Sequence, residues 1–403
     1  MLLSPQSETV IKATAAVVAE HAVEITSRFY PSMFEAHPEL LSLFNMGNQA
    51  NGEQRQALAS AVVAYATQLV DPDAPSFRPV MERIAHKHVS LGIRPEQYTI
   101  VGRHLMAAVG EVLGDAVTPE VAAAWDEVYW LFSAQLIAEE ARLYTLGGVD
   151  PAHPWRKYQV IERVEEAVDT VTLVLRPQDG GSVPPHLPGQ YVSIAVDLPD
   201  GSRQPRQYTV STGARENSLQ ITVRRLRGRD GAPDGVVSTY LHERVATGDV
   251  LEVGPPAGDL FLDEGENPLL LISAGVGITP VAAILDELSV RGTTRPIMVA
   301  HADRSADSHP LFRAVTASVS SLGNVETHTW YERVDEAGQE RGARSGLMDL
   351  ADVEVPADTD VFMCGPLPFM RDARSELVRR GLPSTQIRYE VFGPDMFAGS
   401  SLG

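Results

Sequence analysis

Residues 267–285 read NPLLLISAGVGITPVAAIL, a stretch of 19 residues without a charged side chain. This is close to the length of a membrane-spanning helix, but Gly275, Gly277 and Pro280 interrupt it. A buried strand, a glycine turn and a helix therefore explain it better than a membrane span. Glycines at such a turn let the backbone approach a pyrophosphate, and the following helix N-terminus favours its negative charge.

The chain downstream of this stretch alternates between apolar strands and helical patterns. The strand-like segments are IMVAHAD (297–303), VETHTW (325–330), VFMCGP (361–366) and IRYEVF (387–392). Alternation of strands and helices of this length predicts a parallel, doubly wound α/β sheet. We assign residues 266–403 to this domain.

Upstream, between residues 155 and 265, the apolar period changes to two. The β-rich runs, bounded by Gly, Pro, Asp and Asn, are TVTLVLRP (170–177), GQYVSIAV (189–196), RQYTVS (206–211) and SLQITVRR (218–225). Such runs are typical of a small antiparallel β-barrel.

Residues 1–147 show helical spacing almost throughout and predict an all-α domain. Thr118 and Pro119 have the pattern of an N-cap followed by a proline in the first turn. Gly147-Gly148 is expected to end the last helix, and residues 148–154, with two prolines, form a linker. The sequence thus predicts three domains in the order helical, β-barrel and α/β.

Composition excludes several classes of protein. The formal net charge is −20, which argues against binding nucleic acid or an anionic membrane. The single cysteine, Cys364, excludes an internal disulfide and a cysteine-rich metal or iron–sulfur site. A reducing compartment suits such a chain, and its first residues lack a signal-peptide pattern, so we expect it in the cytoplasm.

Four more motifs accompany the glycine turn. In chain order they are Arg206-Gln207-Tyr208-Thr209, Gly235-Val236-Val237-Ser238, Cys364-Gly365-Pro366 and Tyr389-Glu390-Val391-Phe392-Gly393-Pro394. Together they resemble the ferredoxin–NADP reductase superfamily over about residues 155–397. An arginine can pair with a flavin phosphate, and a tyrosine can stack on a flavin ring; the alternatives are a surface arginine and a core tyrosine.

The resemblance implies an FAD site and a nicotinamide-nucleotide site. FAD would be bound by the first two motifs, with Tyr191 against the flavin, Phe392 covering its ring and Glu390 tuning it. The FAD-site residues are Tyr191, Arg206, Gln207, Tyr208, Thr209, Val237, Ser238, Glu390, Val391, Phe392, Gly393 and Pro394. The nucleotide pyrophosphate would lie on Gly275, Val276, Gly277, Ile278, Thr279 and Pro280.

Two segments bear on how nucleotide is bound. His301-Ala302-Asp303-Arg304-Ser305 ends the second α/β strand, where a ribose or its 2′-phosphate would lie. Asp303 favours a free ribose and Arg304-Ser305 a phosphate; of the two, we favour NADH over NADPH. The basic run 224–229 is interpreted as a solvated hairpin, with attraction of nucleotide phosphate as the alternative.

In the helical region, His88 shares one helix face with Val80, Ile84 and Leu91, so it should face inward and His86 outward. A buried histidine is more often a core group than a metal ligand.

The set Tyr30, Phe44, Gln54 and His88 nevertheless resembles a bacterial globin. The resemblance implies haem b with His88 as the proximal iron ligand, Phe44 packed on the haem, and Tyr30 and Gln54 as distal residues. Lys87, beside the ligand, also matches the family and would influence the haem potential.

A globin followed by an FAD barrel and a nucleotide domain resembles the flavohaemoglobin family over nearly the whole chain. The family's nitric-oxide-dioxygenase type has a proximal network that here would be Tyr98 and Glu140 around His88. Glu140 falls on the inward face of its helix and Glu139 on the outer face; an ordinary surface glutamate is the alternative. The resemblance implies oxidation of NO with O₂ to nitrate, using electrons from NAD(P)H through FAD.

Three alternatives stay open. The protein could reduce alkyl hydroperoxides or quinones, could store or sense O₂ or NO without turnover, or could be a subtype with altered proximal residues and a different electron donor. The sequence does not establish the oligomeric state, a monomer being one option, nor whether a lipid occupies the distal pocket.

Overall fold

The computed structural model describes residues 2–44, 53–215, 217–228 and 233–392, apart from the side chains of Glu53, Gln54, Gln56 and Ala59. Two compact units form. The first consists mainly of residues 1–154, and the second consists of residues 155–196 and 206–392.

The first unit is helical, as predicted. Its helices are α1 (Pro5–Ala36), α2 (Glu53–Val70), α3 (Arg78–Leu91), α4 (Pro95–Leu113) and α5 (Pro119–Gly147), with a 3₁₀ turn at Pro38–Leu43. The predicted ends of α5 are confirmed. The Thr118 hydroxyl accepts a hydrogen bond from the backbone N–H of Val121 at 3.4 Å, and Gly148 ends the helix at φ +61°.

A single apolar core holds these helices together. Large side chains from α1, α2 and α5 are almost completely buried in it, among them Phe29, Met33, Tyr65, Trp125 and Leu136. Burial of an apolar side chain such as Phe29, Met33 or Leu136 stabilises the fold by roughly 1.5–3 kcal/mol relative to an exposed one. The core fixes the inward faces of α3, α4 and α5, from which the candidate haem-site residues project.

The second unit contains an antiparallel barrel. Its elements are β1 (Arg156–Ala167), β2 (Thr170–Pro177), β3 (Tyr191–Asp197), β4 (Arg203–Thr209), β5 (Leu219–Arg224), α6 (Val236–Arg244) and β6 (Val250–Val253). The strand order is β4-β3-β6-β1-β2-β5. A bridge between Val210, just after β4, and Ile221 of β5 brings the two ends of the sheet together, which confirms the barrel.

A parallel sheet follows in the same unit. Its elements are β7 (Leu269–Ala274), α7 (Ile278–Arg291), β8 (Ile297–Asp303), α8 (Phe312–Ser321), β9 (Val325–Tyr331), α9 (Glu336–Glu340), β10 (Arg344–Ser345), β11 (Asp360–Cys364), α10 (Leu367–Arg379) and β12 (Ile387–Glu390). The order β10-β9-β8-β7-β11-β12 is doubly wound, as predicted. Successive strands are added on one side of β7 as far as β10 and on its other side from β11 onwards. Ligands of doubly wound sheets bind at the point where the strand order reverses, here between β7 and β11.

Residues 267–285 contain strand β7, the glycine turn and helix α7. Within the described residues, no helix is both long enough and apolar enough to cross a membrane. The interpretation of this uncharged stretch as strand, turn and helix is therefore confirmed.

Two predictions about side-chain environment are wrong. His86 is 9% exposed rather than solvent-facing, because α3 packs against α5, which the periodicity of α3 alone does not show. The basic run after β5 is not a solvated hairpin. Arg224 pairs with Asp303, Arg225 with Glu243 and Arg227 with Asp169, while Arg229 lies outside the described residues.

Candidate functional site

A histidine, a tyrosine and a glutamate from three helices meet in the first unit. His88 lies one turn before the end of α3, Tyr98 in the first turn of α4 and Glu140 near the end of α5. The Nδ1 atom of His88 is 2.8 Å from Oε1 of Glu140 and 2.9 Å from the hydroxyl of Tyr98. The Tyr98 hydroxyl donates to the same carboxylate oxygen at 2.5 Å.

Burial strengthens this cluster. Glu140 is 4% exposed and Tyr98 6%, so both hydrogen bonds operate in a medium of low dielectric constant. Burial, together with the charge of Glu140 and the hydrogen bond to it, raises the pKa of Tyr98 far above its usual value of 10.0. The phenol therefore remains a proton donor, and the carboxylate accepts from both Tyr98 and the Nδ1–H of His88.

The arrangement leaves the other ring nitrogen of His88 available. Among the described residues, no hydrogen bond engages Nε2 of His88. A histidine that ligates a metal characteristically donates its second ring N–H to a carboxylate, which fixes the tautomer and raises the basicity of the ligand. These residues fit a haem iron bound through Nε2.

Further tyrosines hold the cluster in place. The Tyr129 hydroxyl donates to the backbone carbonyl of Tyr98 at 2.5 Å, and the Tyr144 hydroxyl donates to that of Val89 at 3.3 Å. A Cβ atom on Gly102 would lie only 2.4 Å from the Tyr129 ring, so the glycine makes room for it. Tyr129 was not predicted from the sequence, although it lies three helical turns before Glu140, on the same face of α5.

Aromatic rings surround Tyr30, the residue predicted for the distal side of the haem. Its ring lies 5.8 Å from that of Phe34 and 5.9 Å from that of Phe44, edge to face. Tyr30 is 5% exposed, so packing restricts its orientation. The side chain of Gln54 lies outside the described residues, and Lys87 on α3 is half-buried.

In the barrel, strand β4 carries the predicted flavin motif. Arg206 and Tyr208 alternate with Gln207 and Thr209, so the two pairs lie on opposite faces of the strand. Burial lowers the pKa of Arg206 and raises that of Tyr208.

Several polar groups near this motif have defined environments. The Oγ1 atom of Thr209 is buried and, among the described residues, has no hydrogen-bond partner, whereas Gln207 donates to the Ser193 hydroxyl at 3.1 Å. Arg206, half-buried on the other face of β4, fits a phosphate of a bound flavin nucleotide.

The structure places the remaining flavin-motif residues as follows. Tyr191 is 7% exposed and packs against Gly258, where a Cβ atom would lie 3.1 Å from its ring. Val237 is 1% exposed, and the Ser238 hydroxyl joins the N–H of Leu226 to the carbonyl of Gly235. These two residues hold the start of α6.

The C-terminal motif is only partly described. Glu390 is buried at the end of β12, paired in register with Cys364 of β11. Burial and the charge of Glu390 raise the pKa of the Cys364 thiol. Val391 is 9% and Phe392 48% exposed, while Gly393 and Pro394 lie outside the described residues.

The glycine turn between β7 and α7 has the backbone that a pyrophosphate requires. Gly275 has φ +57°, and a Cβ atom on Gly277 would lie 2.3 Å from the carbonyl oxygen of Cys364. Val276 contributes its carbonyl, which accepts a hydrogen bond from the Thr279 hydroxyl at 3.1 Å. Ile278, Thr279 and Pro280 are buried in the first turn of α7, where backbone N–H groups favour an anion.

Comparison with known proteins agrees with this architecture. Family models match in the order globin (residues 27–136), oxidoreductase FAD-binding domain (157–261) and oxidoreductase NAD-binding domain (271–375). The flavohemoprotein of Bordetella parapertussis (strain 12822) is 42% identical, with 97% of this chain and 99% of that protein covered. The chain belongs to the flavohemoprotein family.

Solved structures give the same result. The crystal structure of flavohemoglobin from Malassezia yamatoensis with bound FAD and heme is 32% identical, with a TM-score of 0.86, and covers 97% of this chain and 100% of that one. The flavohem-like FAD/NAD-binding domain of nitric oxide dioxygenase from Vibrio cholerae O1 biovar El Tor is 36% identical, with a TM-score of 0.55, covering 59% and 99%.

Membership confirms the resemblance stated from the sequence and the three-part fold. The chain is a flavohemoprotein oxidoreductase whose cofactors are haem, FAD and a nicotinamide nucleotide.

The first test concerns the flavin motif. If Arg206 binds a flavin phosphate, Arg206→Ala should weaken FAD retention while leaving haem content unchanged, because it would remove a charge-assisted contact of about 1.5–3 kcal/mol. Flavin and haem absorbance after dilution would measure both. Arg176→Ala, which removes an exposed arginine of the same barrel, should retain FAD. Normal flavin stoichiometry in dilute Arg206→Ala protein would contradict the assignment.

Proposed function

We propose that this flavohemoprotein is a nitric oxide dioxygenase that converts NO and O₂ to nitrate at the expense of NAD(P)H. The overall reaction is 2 NO + 2 O₂ + NAD(P)H → 2 NO₃⁻ + NAD(P)⁺ + H⁺. The observation that supports it most is the His88–Tyr98–Glu140 cluster, since an oxidoreductase with a reactive haem needs an electron-rich proximal ligand.

We assign residues 1–147 to the haem domain, 148–154 to a linker, 155–265 to the FAD barrel and 266–403 to the nucleotide domain. When bound, the nucleotide would supply a hydride to FAD, and FAD would pass on its two electrons one at a time and release the proton. The haem iron would be the site of the reaction with O₂ and NO. Binding, orientation and electrostatics are the contributions of the chain.

On the proximal side, the chain controls the charge on His88. The Nδ1–H of His88 donates to the buried Glu140 carboxylate at 2.8 Å, which gives the imidazole imidazolate character and increases electron donation through Nε2. Tyr98 donates to the same carboxylate oxygen and so limits how far the proton moves from Nδ1. Tyr129 fixes the backbone of Tyr98.

On the distal side, we assign Tyr30 and Gln54 to the diatomic ligands, with Phe44 packed on the haem and Lys87 acting on its potential. The phenol of Tyr30 would donate a hydrogen bond to the partial negative charge that O₂ acquires. Its packing against Phe34 and Phe44 restricts the orientation of the ring.

In the reductase module, we assign Arg206 and Thr209 to the polar part of FAD, Tyr191 and Tyr208 to its rings, and Gln207, Val237 and Ser238 to the same site. Glu390, Val391, Phe392, Gly393 and Pro394 complete it on the nicotinamide side. Residues 275–280 would bind the nucleotide pyrophosphate. A cytoplasmic location also remains a prediction.

The test is the fate of NO in the purified holoprotein. With NAD(P)H and O₂ present, catalytic NO consumption should yield one nitrate for each NO. Turnover of alkyl hydroperoxides or quinones without nitrate formation would favour a reductase instead, and stoichiometric binding of O₂ or NO without turnover would favour a sensor or storage protein.

A further inference from the structure

Two acidic side chains of helix α7 bind the loop that follows β4 of the barrel. The backbone N–H of Gly213 donates to Oδ2 of Asp286 at 2.7 Å, and that of Ala214 donates to Oε2 of Glu287 at 3.1 Å. The Arg215 guanidinium donates through Nη2 to the same Oδ2 of Asp286 at 2.6 Å. Three consecutive residues of the loop are thus held by two consecutive residues of the helix, an arrangement that we call the α7 clamp.

The loop backbone approaches the helix closely at the first position of the clamp. A Cβ atom on Gly213 would lie 2.7 Å from Oε2 of Glu287 and 3.0 Å from the backbone nitrogen of the same residue. Glu287 is 8% exposed, and its Oε1 lies 2.6 Å from Nε of Arg291. Both oxygens of this buried carboxylate therefore have donors, and hydrogen bonds to a buried charged group are stronger than neutral ones.

The α7 clamp connects the two segments to which we assign the cofactors. Its loop begins two residues after Thr209, the end of the flavin motif on β4. Its carboxylates lie about two turns after Ile278, where α7 begins directly after the glycine turn. A helix rises about 1.5 Å per residue and is stiff over this length of about 12 Å. The clamp therefore fixes where the start of α7 lies relative to the flavin motif.

A second, separate set of contacts joins the barrel to the parallel sheet. Nη2 of Arg224, the last residue of β5, lies 3.0 Å from Oδ2 of Asp303 and donates to the carbonyl of Ser308 at 2.6 Å. The Glu166 carboxylate accepts the backbone N–H of Leu311 at 2.9 Å. This set involves β8 and the chain after it rather than α7. Because two separate attachments fix an orientation that one alone does not, loss of the clamp should change the orientation without separating the two parts.

We propose that Asp286 and Glu287 are positioning residues for hydride transfer, because the loop that they hold follows the flavin motif and their helix follows the nucleotide turn. The inference rests on the placement of FAD and the nucleotide proposed above. In this step the C4–H bond of the nicotinamide breaks, its hydride forms a bond to the flavin, and NAD(P)H + FAD gives NAD(P)⁺ + FADH⁻. The reacting atoms must lie about 3–3.5 Å apart, and a misplacement of about 1 Å can cost about 100-fold in rate.

The experiment compares Asp286→Ala, Asp286→Asn and Arg215→Gln holoproteins with wild type by anaerobic stopped-flow reduction of the flavin with NADH and with NADPH. In Asp286→Ala the limiting rate should fall about 10- to 100-fold, whereas the nucleotide concentration for half the limiting rate should change less than about threefold, because the glycine turn is intact. Asp286→Asn can still accept the N–H of Gly213, and Arg215→Gln keeps both carboxylates, so each should lose less. The matched control, Glu376→Gln, breaks an ion pair within α10 and should not change the rate.

Amide hydrogen exchange of the same holoproteins gives a result that does not depend on turnover. The N–H of Gly213 should be protected in wild type and should exchange at least about tenfold faster in Asp286→Ala, because it loses a hydrogen bond to a charged group. Flavin content and the unfolding temperature are measured beside it. A merely structural role would lower the unfolding temperature and leave the limiting rate unchanged in the folded variant.

Three results would overturn the inference. The first is fast exchange of the Gly213 amide in wild type, and the second is a normal limiting rate in a variant whose exchange is accelerated. The third is a wild-type flavin that neither nucleotide reduces, which would contradict the reductase role as well. If Asp286→Ala lost its FAD, Asp286→Asn and Arg215→Gln would decide in the same way. Failure of the proposed dioxygenase activity is distinguishable, because NO is absent from both measurements.

Discussion

His88→Gly protein is expected to purify almost without haem and to recover a haem spectrum when imidazole is added. The reason is that Nδ1 of His88 is held by Glu140 and Tyr98, so Nε2 is the nitrogen available for the iron. Because no other described residue takes this position, removal of the ring should remove the axial bond. Flavin content should stay normal, since the FAD motif belongs to the second unit.

His86→Gln is the matched control, two residues away on the same helix. Although His86 is buried, its ring is not part of the Glu140–Tyr98 cluster, and this variant should keep its haem. Haem per protein, measured by the pyridine haemochrome spectrum, would decide. A haem-free His86 variant beside a haem-replete His88 variant would show that the wrong histidine has been assigned.

Tyr30→Phe and Glu140→Gln should impair different steps. If Tyr30 donates to bound O₂ as proposed, Tyr30→Phe would remove that hydrogen bond, and a net loss of about 1–3 kcal/mol would speed O₂ release roughly 5- to 150-fold. Haem reduction by the flavin should remain near normal in this variant, because the proximal cluster is intact.

Glu140→Gln should have the opposite profile. The amide keeps the shape of the carboxylate but loses the charge that polarises His88 at 2.8 Å, so electron donation to the iron and the rate of haem reduction by flavin should change more than the O₂ off-rate. We expect slower reduction. Tyr98→Phe keeps the carboxylate and loses one hydrogen bond, so its effect should be smaller.

Stopped-flow measurement of O₂ release and of haem reduction in all three variants would separate these roles. Identical profiles for Tyr30→Phe and Glu140→Gln would rule out the division between distal and proximal functions. Assays on the NO reaction would not be needed for this conclusion.

Local pattern was sufficient for much of the architecture. The glycine turn between β7 and α7 and the helix start at Thr118 depend on interactions within a few residues. Backbone preferences and apolar periodicity act over that range, so these features can be predicted from a short segment of the sequence.

Contacts between segments that are far apart in the sequence could not be predicted from local pattern. His86 was expected in solvent because one helix face was judged alone, yet burial depends on which neighbours cover the helix. Likewise, Arg224 and Asp303 are 79 residues apart, and their pairing changes the interpretation of both: the arginine is not part of a solvated hairpin, and the carboxylate is not free for a ribose.

The sequence by itself determined the three-domain order and the family, because these follow from local periodicity and from motifs in contiguous segments. Only the tertiary structure decided which polar groups meet. It brought Tyr98 and Glu140 onto a single nitrogen of His88, and it engaged Asp303 with Arg224. Hydrogen bonds and charge pairs depend on distances of a few ångströms between elements, and these distances are set by packing of the cores.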